Sequence, residues 1–298
     1  MNPKCYICGS DSVFLLKKDG FDEFQCLKCK LSFVHPQPTA DWLKSDVYSL
    51  ESGYQKNKSQ DLSKELPGKR YGRVLDFVTK EKLNGNLLDV GCSSGQFMYW
   101  ARQRGFNCRG VEINKRTAEI ARQNGFEVFN GFLQEAIFER GSFDVIFLGD
   151  VIEHVNNPRD FLKDAVSFLK TDGLLVISTP NVNCFWSKYT LLLYKLFKIP
   201  WTSATPPYHL FQFSFENLNL LTSEFELKNA KTFFLPPPSL GYELGSLHLL
   251  GKWKKDKTVF NLIFMLFSYT AYVVAYALNL AIYPFHRKDF QMSAVYKR

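Results

Sequence analysis

An apolar strand that runs directly into a glycine turn and then a helix is the feature that most constrains the fold. The strand is Asn86–Val90, and the turn after it has the sequence GCSSG, with Gly91 and Gly95 at its ends. Glycine accepts the backbone angles of a tight turn and lets the next helix start close to the strand. This order of elements is typical of a nucleotide site at the carboxyl end of a parallel strand. We therefore expect a binding cleft at this turn.

The region around this turn alternates strands with helices. Further buried strands are predicted at Asn107–Glu112, Glu127–Asn130, Phe143–Leu148 and Leu174–Ser178, and a helix with one apolar face is predicted at about 158–169. Alternation of this kind predicts a parallel sheet that is covered by helices on both faces. The expected fold class is therefore α/β, with a doubly wound sheet.

Acidic residues mark the ends of three predicted strands. Asp89 lies in the first strand, Glu112 ends the second, and Asp150 follows the fourth. A carboxylate at the tip of the second strand can accept hydrogen bonds from both ribose hydroxyls of a nucleotide. The same layout serves NAD-dependent enzymes, so this spacing alone leaves the identity of the nucleotide open.

The strand and turn together, LLDVGCSSG at residues 87–95, resemble motif I of class I methyltransferases that use S-adenosylmethionine (SAM). The resemblance covers about residues 5–235 and the last strand. It implies a Rossmann-like seven-stranded sheet whose last strand, Gln291–Lys297, is antiparallel and inserted between the fifth and sixth strands. A Rossmann domain for a different nucleotide is the alternative. The contacts with SAM that the resemblance implies come from Asp89, Gly91, Cys92, Gly95, Glu112, Ile113 and Asp150.

Two histidines are the candidate catalytic residues. His154 belongs to the sequence DVIEHV after the fourth strand, which resembles the Glu-His element of ubiquinone-pathway and surface-polysaccharide methyltransferases. His209 belongs to HLFQFS, which resembles the acceptor-facing segment of the same enzymes. Methyl transfer mainly requires two reactants to be positioned, and a general base can remove a proton from the acceptor. The resemblance implies His154 as that base. The alternatives are that His154 orders its loop and that His209 serves only in packing.

Four cysteines near the start of the chain form two pairs, with two residues inside each pair: Cys5 and Cys8, then Cys26 and Cys29. Two such turns can offer four thiolates to one tetrahedral ion, and four thiolates leave no open position for catalysis. Short strands are predicted at Val13–Lys17 and Glu23–Gln25. The pattern therefore predicts a zinc ribbon with structural Zn²⁺. Four unrelated cysteines are the alternative.

The net charge of +8 is concentrated beside apolar segments. Residues 252–298 contain eight basic and two acidic residues, and residues 182–215 contain three lysines and no acidic residue. A basic surface next to apolar sequence favours an anionic membrane as the partner and makes nucleic acid an unlikely one. Residues 1–10 lack the apolar core of a secretion signal, so we expect a cytoplasmic protein.

Two apolar segments interrupt the enzyme-like pattern. Cys184–Trp201 is predicted to be a basic amphipathic helix at a membrane interface, with a lid over the substrate as the alternative. Val259–Phe285 has 27 residues without a formal charge, which is long enough to span a bilayer. Basic residues flank both ends, however, and the chain must return to the sheet. We therefore expect a helix or helical hairpin in the cytoplasmic leaflet, with a buried helix or a dimer interface as the alternative.

These observations divide the chain into five parts. They are a zinc ribbon (1–40), a connecting arm (41–68), a SAM-binding methyltransferase domain (69–235), an apolar helical insertion (236–285) and the last strand (286–298). Tyr48 and Tyr54, both in the arm, are expected to fold over SAM.

The predicted function is methyl transfer from SAM to an oxygen of a small-molecule or lipid-linked acceptor. A lipid-linked sugar, a glycan or a prenylated quinone precursor would suit a protein in peripheral contact with the inner face of a membrane. One alternative is an RNA methyltransferase, and another is a non-catalytic scaffold that binds SAM at a membrane. The sequence makes no prediction about the oligomeric state.

Overall fold

The structure is a computed structural model that describes residues 2–39, 42, 61–64, 66–82, 84–236, 239–282, 285 and 288–298. Tyr48 and Tyr54, which were expected to fold over SAM, lie outside these described residues.

The described strands form two sheets. In chain order the strands are β1 (Ser12–Lys18), β2 (Phe21–Cys26), β3 (Ser32–Val34), β4 (Gly85–Val90), β5 (Phe106–Glu112), β6 (Glu127–Asn130), β7 (Phe143–Gly149), β8 (Leu169–Pro180), β9 (Phe211–Gln212), β10 (Lys228–Leu235) and β11 (Gln291–Lys297). The helices are α1 (Lys69–Glu81), α2 (Gln96–Arg102), α3 (Lys115–Gln123), α4 (Pro158–Phe168), α5 (Phe185–Phe197), α6 (Phe215–Ser223), α7 (Leu240–Ser246), α8 (Leu249–Lys255) and α9 (Val259–Ile282). Two short 3-10 helices lie at Leu62–Lys64 and Leu133–Glu135.

The central sheet has seven strands in the order β10-β11-β8-β7-β4-β5-β6. Strand β11 runs antiparallel to both of its neighbours, β8 and β10. The other neighbouring pairs, which join β8, β7, β4, β5 and β6, are parallel. The predicted Rossmann-like fold is therefore confirmed, including the antiparallel last strand between the fifth and sixth.

Side-chain caps start the helices that follow the strands. Asn114 and Asn157 each accept two backbone N–H hydrogen bonds at the starts of α3 and α4. Ser214 accepts a hydrogen bond from the backbone of Asn217 at the start of α6, and the Asn217 side chain accepts one from the backbone of Ser214. These caps satisfy N–H groups that have no partner inside a helix. They bring α3, α4 and α6 to the edge of the sheet where the candidate site lies.

Two elements differ from the sequence prediction by four or more residues at one end. Strand β8 begins at Leu169 and not at Leu174, because the turn before the predicted strand continues the ladder. Helix α5 ends at Phe197 and not at Trp201. Lys198 adopts a left-handed conformation (φ +59°), and Pro200, with no N–H group, cannot continue a helix.

The N-terminal module, residues 2–39, does not form its sheet alone. Strands β1, β2 and β3 are antiparallel, and β9 adds a fourth strand from the methyltransferase region. Phe33 of β3 pairs with Phe211 of β9, and Tyr6 packs edge-on against both rings at centroid distances of 5.2 and 5.3 Å. Most of the buried apolar residues of the module belong to the same core cluster as one face of the central sheet, whereas Leu16 packs in a separate cluster with Trp201 and Ala204. The predicted ribbon at 1–40 is therefore completed by residues far away in the sequence.

Helix α9 buries a narrow stripe and exposes most of its large apolar side chains. Its buried residues include Ser268, Tyr272, Ala275 and Asn279, and Tyr272 packs edge-on against Trp186 of α5 at 5.4 Å. Within the described ranges, α9 is the one helix long and apolar enough to cross a membrane, and 22% of its apolar window is buried. We call the exposed large residues of both helices the α5/α9 apolar face: Leu192, Leu196, Phe197, Val259, Phe260, Ile263, Leu266, Phe267, Val273, Val274, Leu278 and Leu280.

Candidate active site

The glycine turn after β4 is held against the end of β5. Gly91 and Gly95 have φ angles of +76° and +90°, which side chains disfavour. A Cβ atom on Gly91 would lie 2.6 Å from the Val151 side chain, so the turn and the loop after β7 touch at this point. The N–H of Gly91 donates to the carbonyl of Val111 at 2.8 Å. The predicted tight glycine turn between β4 and the next helix is therefore confirmed, and its contact with a cofactor stays a prediction.

Two buried carboxyl groups lie beside this turn. Glu112 accepts hydrogen bonds from the backbone N–H groups of Ser93 (2.8 Å) and Asn114 (2.7 Å), one on each oxygen. Burial, and then the charge of Glu112, raises the pKa of Asp89 well above its ordinary value. A cationic ligand beside these groups would stabilise their charged forms. The pair therefore fits a cofactor that offers ribose hydroxyls and positive charge, as SAM does.

Cys92 lies in the glycine turn, Ile113 follows β5, and each makes contacts within the protein. The Cys92 thiol is buried and lies so close to Gly110 that a Cβ there would be 2.5 Å from the sulfur. The carbonyl of Ile113 accepts a hydrogen bond from Asn130 Nδ2 at 3.1 Å, and the same nitrogen donates to the Glu112 carbonyl at 2.7 Å. Contacts of Cys92 and Ile113 with SAM stay predictions. Asn130 was missed by the sequence analysis, although its position at the end of β6 was a signal.

Asp150 is held by two residues that the sequence analysis missed. Arg70 donates two hydrogen bonds to its carboxylate, at 2.8 and 3.0 Å, and the Tyr71 hydroxyl donates a third at 2.9 Å. Burial would raise the pKa of Asp150, but the charge and hydrogen bonds of Arg70 outweigh it and hold that pKa below its ordinary value. Both carboxylate oxygens are therefore engaged with α1. The role of Asp150 as a direct SAM contact stays a prediction.

His154 and His209 lie side by side, with ring centroids 4.9 Å apart and an interplanar angle of 81°. Nδ1 of His154 is 2.5 Å from the carbonyl oxygen of Tyr208. A carbonyl can only accept, so Nδ1 carries the proton and the lone pair of the neutral ring lies on Nε2. Burial lowers the pKa of His154, although Tyr208 and Asp150 oppose this change. Burial, and then His154, lowers the pKa of His209 to about 3.

Glu153 joins the two histidine-bearing segments. Its carbonyl accepts hydrogen bonds from the N–H groups of Leu210 (2.8 Å) and Phe211 (3.2 Å). Burial, and then the charge of Asp150, raises the pKa of its side chain to about 8, so this carboxyl group is mostly neutral at pH 7. One ligand atom each from Glu153, His154 and His209 lies within 4.8 Å of the others, a spacing that a metal ion could bridge. Three side chains that can gain or lose protons, Glu153, His154 and His209, therefore lie together at the edge of the sheet.

The four cysteines of the N-terminal module meet at one point. The sulfur atoms of Cys5 and Cys29 are 3.6 Å apart, those of Cys8 and Cys26 are 3.4 Å apart, and all four lie within 4.8 Å of one another. A tetrahedral zinc ion with bonds of about 2.3 Å separates its sulfur ligands by about 3.8 Å. The N–H of Cys29 also donates to the sulfur of Cys26 at 3.4 Å. These four side chains therefore fit a tetrahedral metal ion.

The fold and the cleft define the Rossmann-like class of SAM-dependent methyltransferases. Residues 62–232, more than half of the chain, match the model of a family described as a methyltransferase domain. The chain belongs to this methyltransferase family.

Curated relatives match a shorter part of the chain. A ubiquinone biosynthesis O-methyltransferase of Rickettsia felis is 34% identical over 102 residues, which cover 32% of this chain and 41% of the relative. The protein of that name from Rickettsia prowazekii is 32% identical over 122 residues, which cover 37% and 48%. The chain thus spans less than half the length of these two relatives. A SAM-dependent methyltransferase structure from Archaeoglobus fulgidus has a TM-score of 0.49 at 17% identity and covers 80% of this chain and 95% of its own.

Proposed function

We propose that this protein transfers a methyl group from SAM to an oxygen of a lipid-linked or prenylated acceptor at a membrane surface. The observation that carries the proposal is the link between the histidine pair and the α5/α9 apolar face. The segment after α5, residues 198–210, contains Tyr208 and His209. The Tyr272 hydroxyl of α9 donates a hydrogen bond to the Pro200 carbonyl of this segment at 2.7 Å. This short segment therefore ties the histidine pair to the helices proposed to contact lipid. An acceptor whose tail lies in the bilayer would then have its reactive end near the two histidines.

The chain's own residues would hold the cofactor at the ends of β4 and β5. SAM supplies a methyl group on a sulfonium that is already a good leaving group. Glu112 would accept the ribose hydroxyls, and the turn from Gly91 to Gly95 would lie against the cofactor. Asp89 would balance positive charge. Asp150 would act mainly by holding Arg70 and Tyr71 in the wall of the cleft.

His154 would act as the general base. Its Nδ1 is committed to the Tyr208 carbonyl, so Nε2 is the nitrogen that would take the proton of an acceptor hydroxyl. Because burial lowers the pKa of His154, its ring is neutral at pH 7 and can accept a proton. His209 would line the acceptor side next to it.

The acceptor class follows from two sources of support. The curated relatives carry the name ubiquinone biosynthesis O-methyltransferase, which favours oxygen as the accepting atom and a prenylated quinone precursor as the acceptor. The α5/α9 apolar face and the lysines before α9 favour peripheral contact with an anionic membrane on its cytoplasmic side. A lipid-linked sugar or glycan precursor would satisfy the same surface.

The N-terminal module would hold one structural Zn²⁺ through Cys5, Cys8, Cys26 and Cys29. Such a small module buries little apolar surface of its own, so bound metal would supply folding free energy. The ion would keep β3 in place, and β3 pairs with β9 next to the histidine segment. Its role is therefore support for the acceptor side of the cleft.

The test is methyl transfer from labelled SAM to a prenylated catechol in vesicles, with water-soluble catechol and RNA as separate acceptors. Ile263, 61% exposed on α9, and Ile137, 89% exposed on a loop, form a matched pair. Ile263→Lys should lower transfer in vesicles and leave transfer to soluble catechol unchanged, whereas Ile137→Lys should change neither. Preferred labelling of RNA would instead support the RNA methyltransferase alternative, and SAM binding without any transfer would support the scaffold.

A further inference from the structure

A cavity of about 680 Å³ lies between the N-terminal module and the first turns of α5 and α6. Gln25 and Ser32 of the module line one side, Ser187 and Lys188 of α5 line another, and Asn217 of α6 completes the wall. Its volume is in the range of small-molecule sites. The lining includes neither the glycine turn nor the histidine pair, so this cavity is separate from the candidate active site.

Two of the residues that line this cavity are deeply buried, and each has an unpaired polar atom. Ser187 is 0% exposed and Asn217 is 1% exposed. Among the described residues, Ser187 Oγ and Asn217 Nδ2 have no hydrogen-bond partner. Asn217 Oδ1 accepts the N–H of Ser214 at 2.9 Å, which fixes the amide so that its NH₂ group is the unpaired end. An unpaired buried polar group costs about 1–3 kcal/mol, so both groups favour a ligand that accepts hydrogen bonds.

The charges around the cavity also favour an anion. Lys28, Lys30 and Lys188 line it together with one acid, Glu216. That acid is already paired with Lys288 at 2.6 Å. A zinc ion held by four thiolates carries a net charge of about −2, which Lys28 and Lys30 would offset. Lys188 is therefore the cation whose charge is least compensated by the protein.

One residue of the cavity wall is the sequence neighbour of a residue on the surface proposed to touch the membrane. Leu191 lines it, and the next residue along α5, Leu192, is 48% exposed on the α5/α9 apolar face. A ligand in this cavity therefore lies beside the side chains that would contact acyl chains. Lys188, one turn before Leu192 on the same helix, lines the cavity and is exposed, and a lysine beside an apolar surface can carry its charge to the headgroup region.

We infer that this cavity binds the phosphate-bearing headgroup of an anionic membrane lipid, with Ser187, Asn217 and Lys188 as hydrogen-bond donors. The inference rests on the membrane contact in the proposed function and adds a specific lipid site to it. Bound headgroup would hold α5 at the bilayer surface and would satisfy the two buried donors. The site is separate from the acceptor position, so lipid binding and methyl transfer can be measured independently.

The experiment is sedimentation of the full-length protein with phosphatidylcholine vesicles that contain no phosphatidic acid or a fixed share of it. Lys188→Glu should weaken binding to the phosphatidic acid vesicles about tenfold. Lys195→Glu makes the same change of charge two turns further along α5, outside the cavity lining, and should weaken binding less than about threefold. Equal losses in the two variants would mean diffuse attraction and would overturn the site.

A second variant tests the buried donor. Asn217→Asp keeps the oxygen that caps α6 and replaces the unpaired NH₂ by a carboxylate oxygen, so it should repel the phosphate and weaken vesicle binding about tenfold. Circular dichroism and SAM binding confirm the fold of each variant, and binding equal to that of the parent protein would overturn the site. Glycerol phosphate should compete with the vesicles better than inorganic phosphate does. Equal competition would indicate a free-phosphate site and overturn the lipid source.

The proposed function can fail separately from this inference. Methyl transfer to a soluble catechol does not require the lipid headgroup, so loss of vesicle selectivity with intact transfer would overturn only the lipid site. Selective vesicle binding without any methyl transfer would support the lipid site and contradict the catalytic proposal.

Discussion

Arg70 and Asp150 form a bidentate ion pair at the carboxyl edge of the central sheet, with N–O distances of 2.8 and 3.0 Å. Arg70 lies in the first turn of α1, whereas Asp150 immediately follows β7. Asp150 has a left-handed backbone (φ +55°), a conformation that is unfavourable for residues with a side chain. The ion pair therefore holds the start of the loop that carries His154.

Removing this ion pair should destabilise the protein. Asp150→Asn leaves the largely buried Arg70 without its charged partner, so we expect unfolding free energy to fall by about 2 kcal/mol in urea titrations. Asp172→Asn removes an exposed partner of Lys82 and is the matched control, with little measurable change expected. Equal stability of the two variants would show that the Arg70 pair contributes nothing specific.

Removing the proposed base should lower turnover without weakening cofactor binding. His154→Ala is expected to reduce kcat by about 10²- to 10⁴-fold, while the Kd for SAM stays the same. His248→Asn is the control, because His248 is exposed and far along the chain, and asparagine tolerates its left-handed backbone. Steady-state kinetics and calorimetry measure the two quantities. Unchanged kcat would leave His154 only the role of ordering its loop.

The pH dependence of the parent protein follows from the same histidine. Burial lowers the pKa of His154 below its ordinary value of about 6.5. Only the neutral ring accepts a proton, so activity should be fully present at pH 7 to 8 and lost as the pH falls through the lowered pKa. A profile of kcat against pH checks this. An acid limb that begins above pH 7 would contradict the lowered pKa of His154.

Glu112 should control affinity for SAM. The Glu112 carboxylate accepts hydrogen bonds from two backbone N–H groups. In Glu112→Gln an amide NH₂ would face one of these N–H groups, so two donors would oppose each other, and the ribose contact would also weaken. We expect a loss of about 2 kcal/mol, or roughly thirtyfold in Kd, by calorimetry. Glu127→Gln changes an exposed acid paired with Arg109 and should bind SAM like the parent protein. Equal affinities in the two variants would exclude Glu112 from the cofactor site.

Loss of metal should affect the active site as well as the N-terminal module. One zinc per chain is expected by elemental analysis, and Cys26→Ser should lose it. Since β3 of the module pairs with β9, methyl transfer should fall along with the melting temperature. Cys184→Ser keeps a capping side chain at the start of α5 and should retain the zinc. A zinc-free Cys26→Ser protein with full activity would reduce the module to an independent appendage.

Local sequence signals predicted the parts of the fold that depend on neighbouring residues. Strand β6 coincides with the predicted Glu127–Asn130, and β11 coincides with the predicted Gln291–Lys297. The Arg70–Asp150 pair had no local signal, because its two residues are 80 positions apart. The pairing of β3 with the two-residue β9 was equally invisible, since a two-residue strand is too short to show a pattern.

Helix α5 illustrates a different limit of sequence reasoning. It is predicted to be a basic amphipathic helix at a membrane interface, and its residues Leu192, Leu196 and Phe197 are exposed. The helix also buries a second set, Trp186, Thr190 and Leu193, against the protein. Both sides of α5 are largely apolar, so periodicity could not decide which side faces α9.

The position of β11 determines the order in which this protein can finish folding. The strand fills the place between β8 and β10, yet it is synthesised after α9. Until β11 is in place, the sheet therefore has a gap in its interior between β8 and β10. The central sheet can thus close only after the most apolar helix has been synthesised, so every form of the chain with a complete sheet also carries α9.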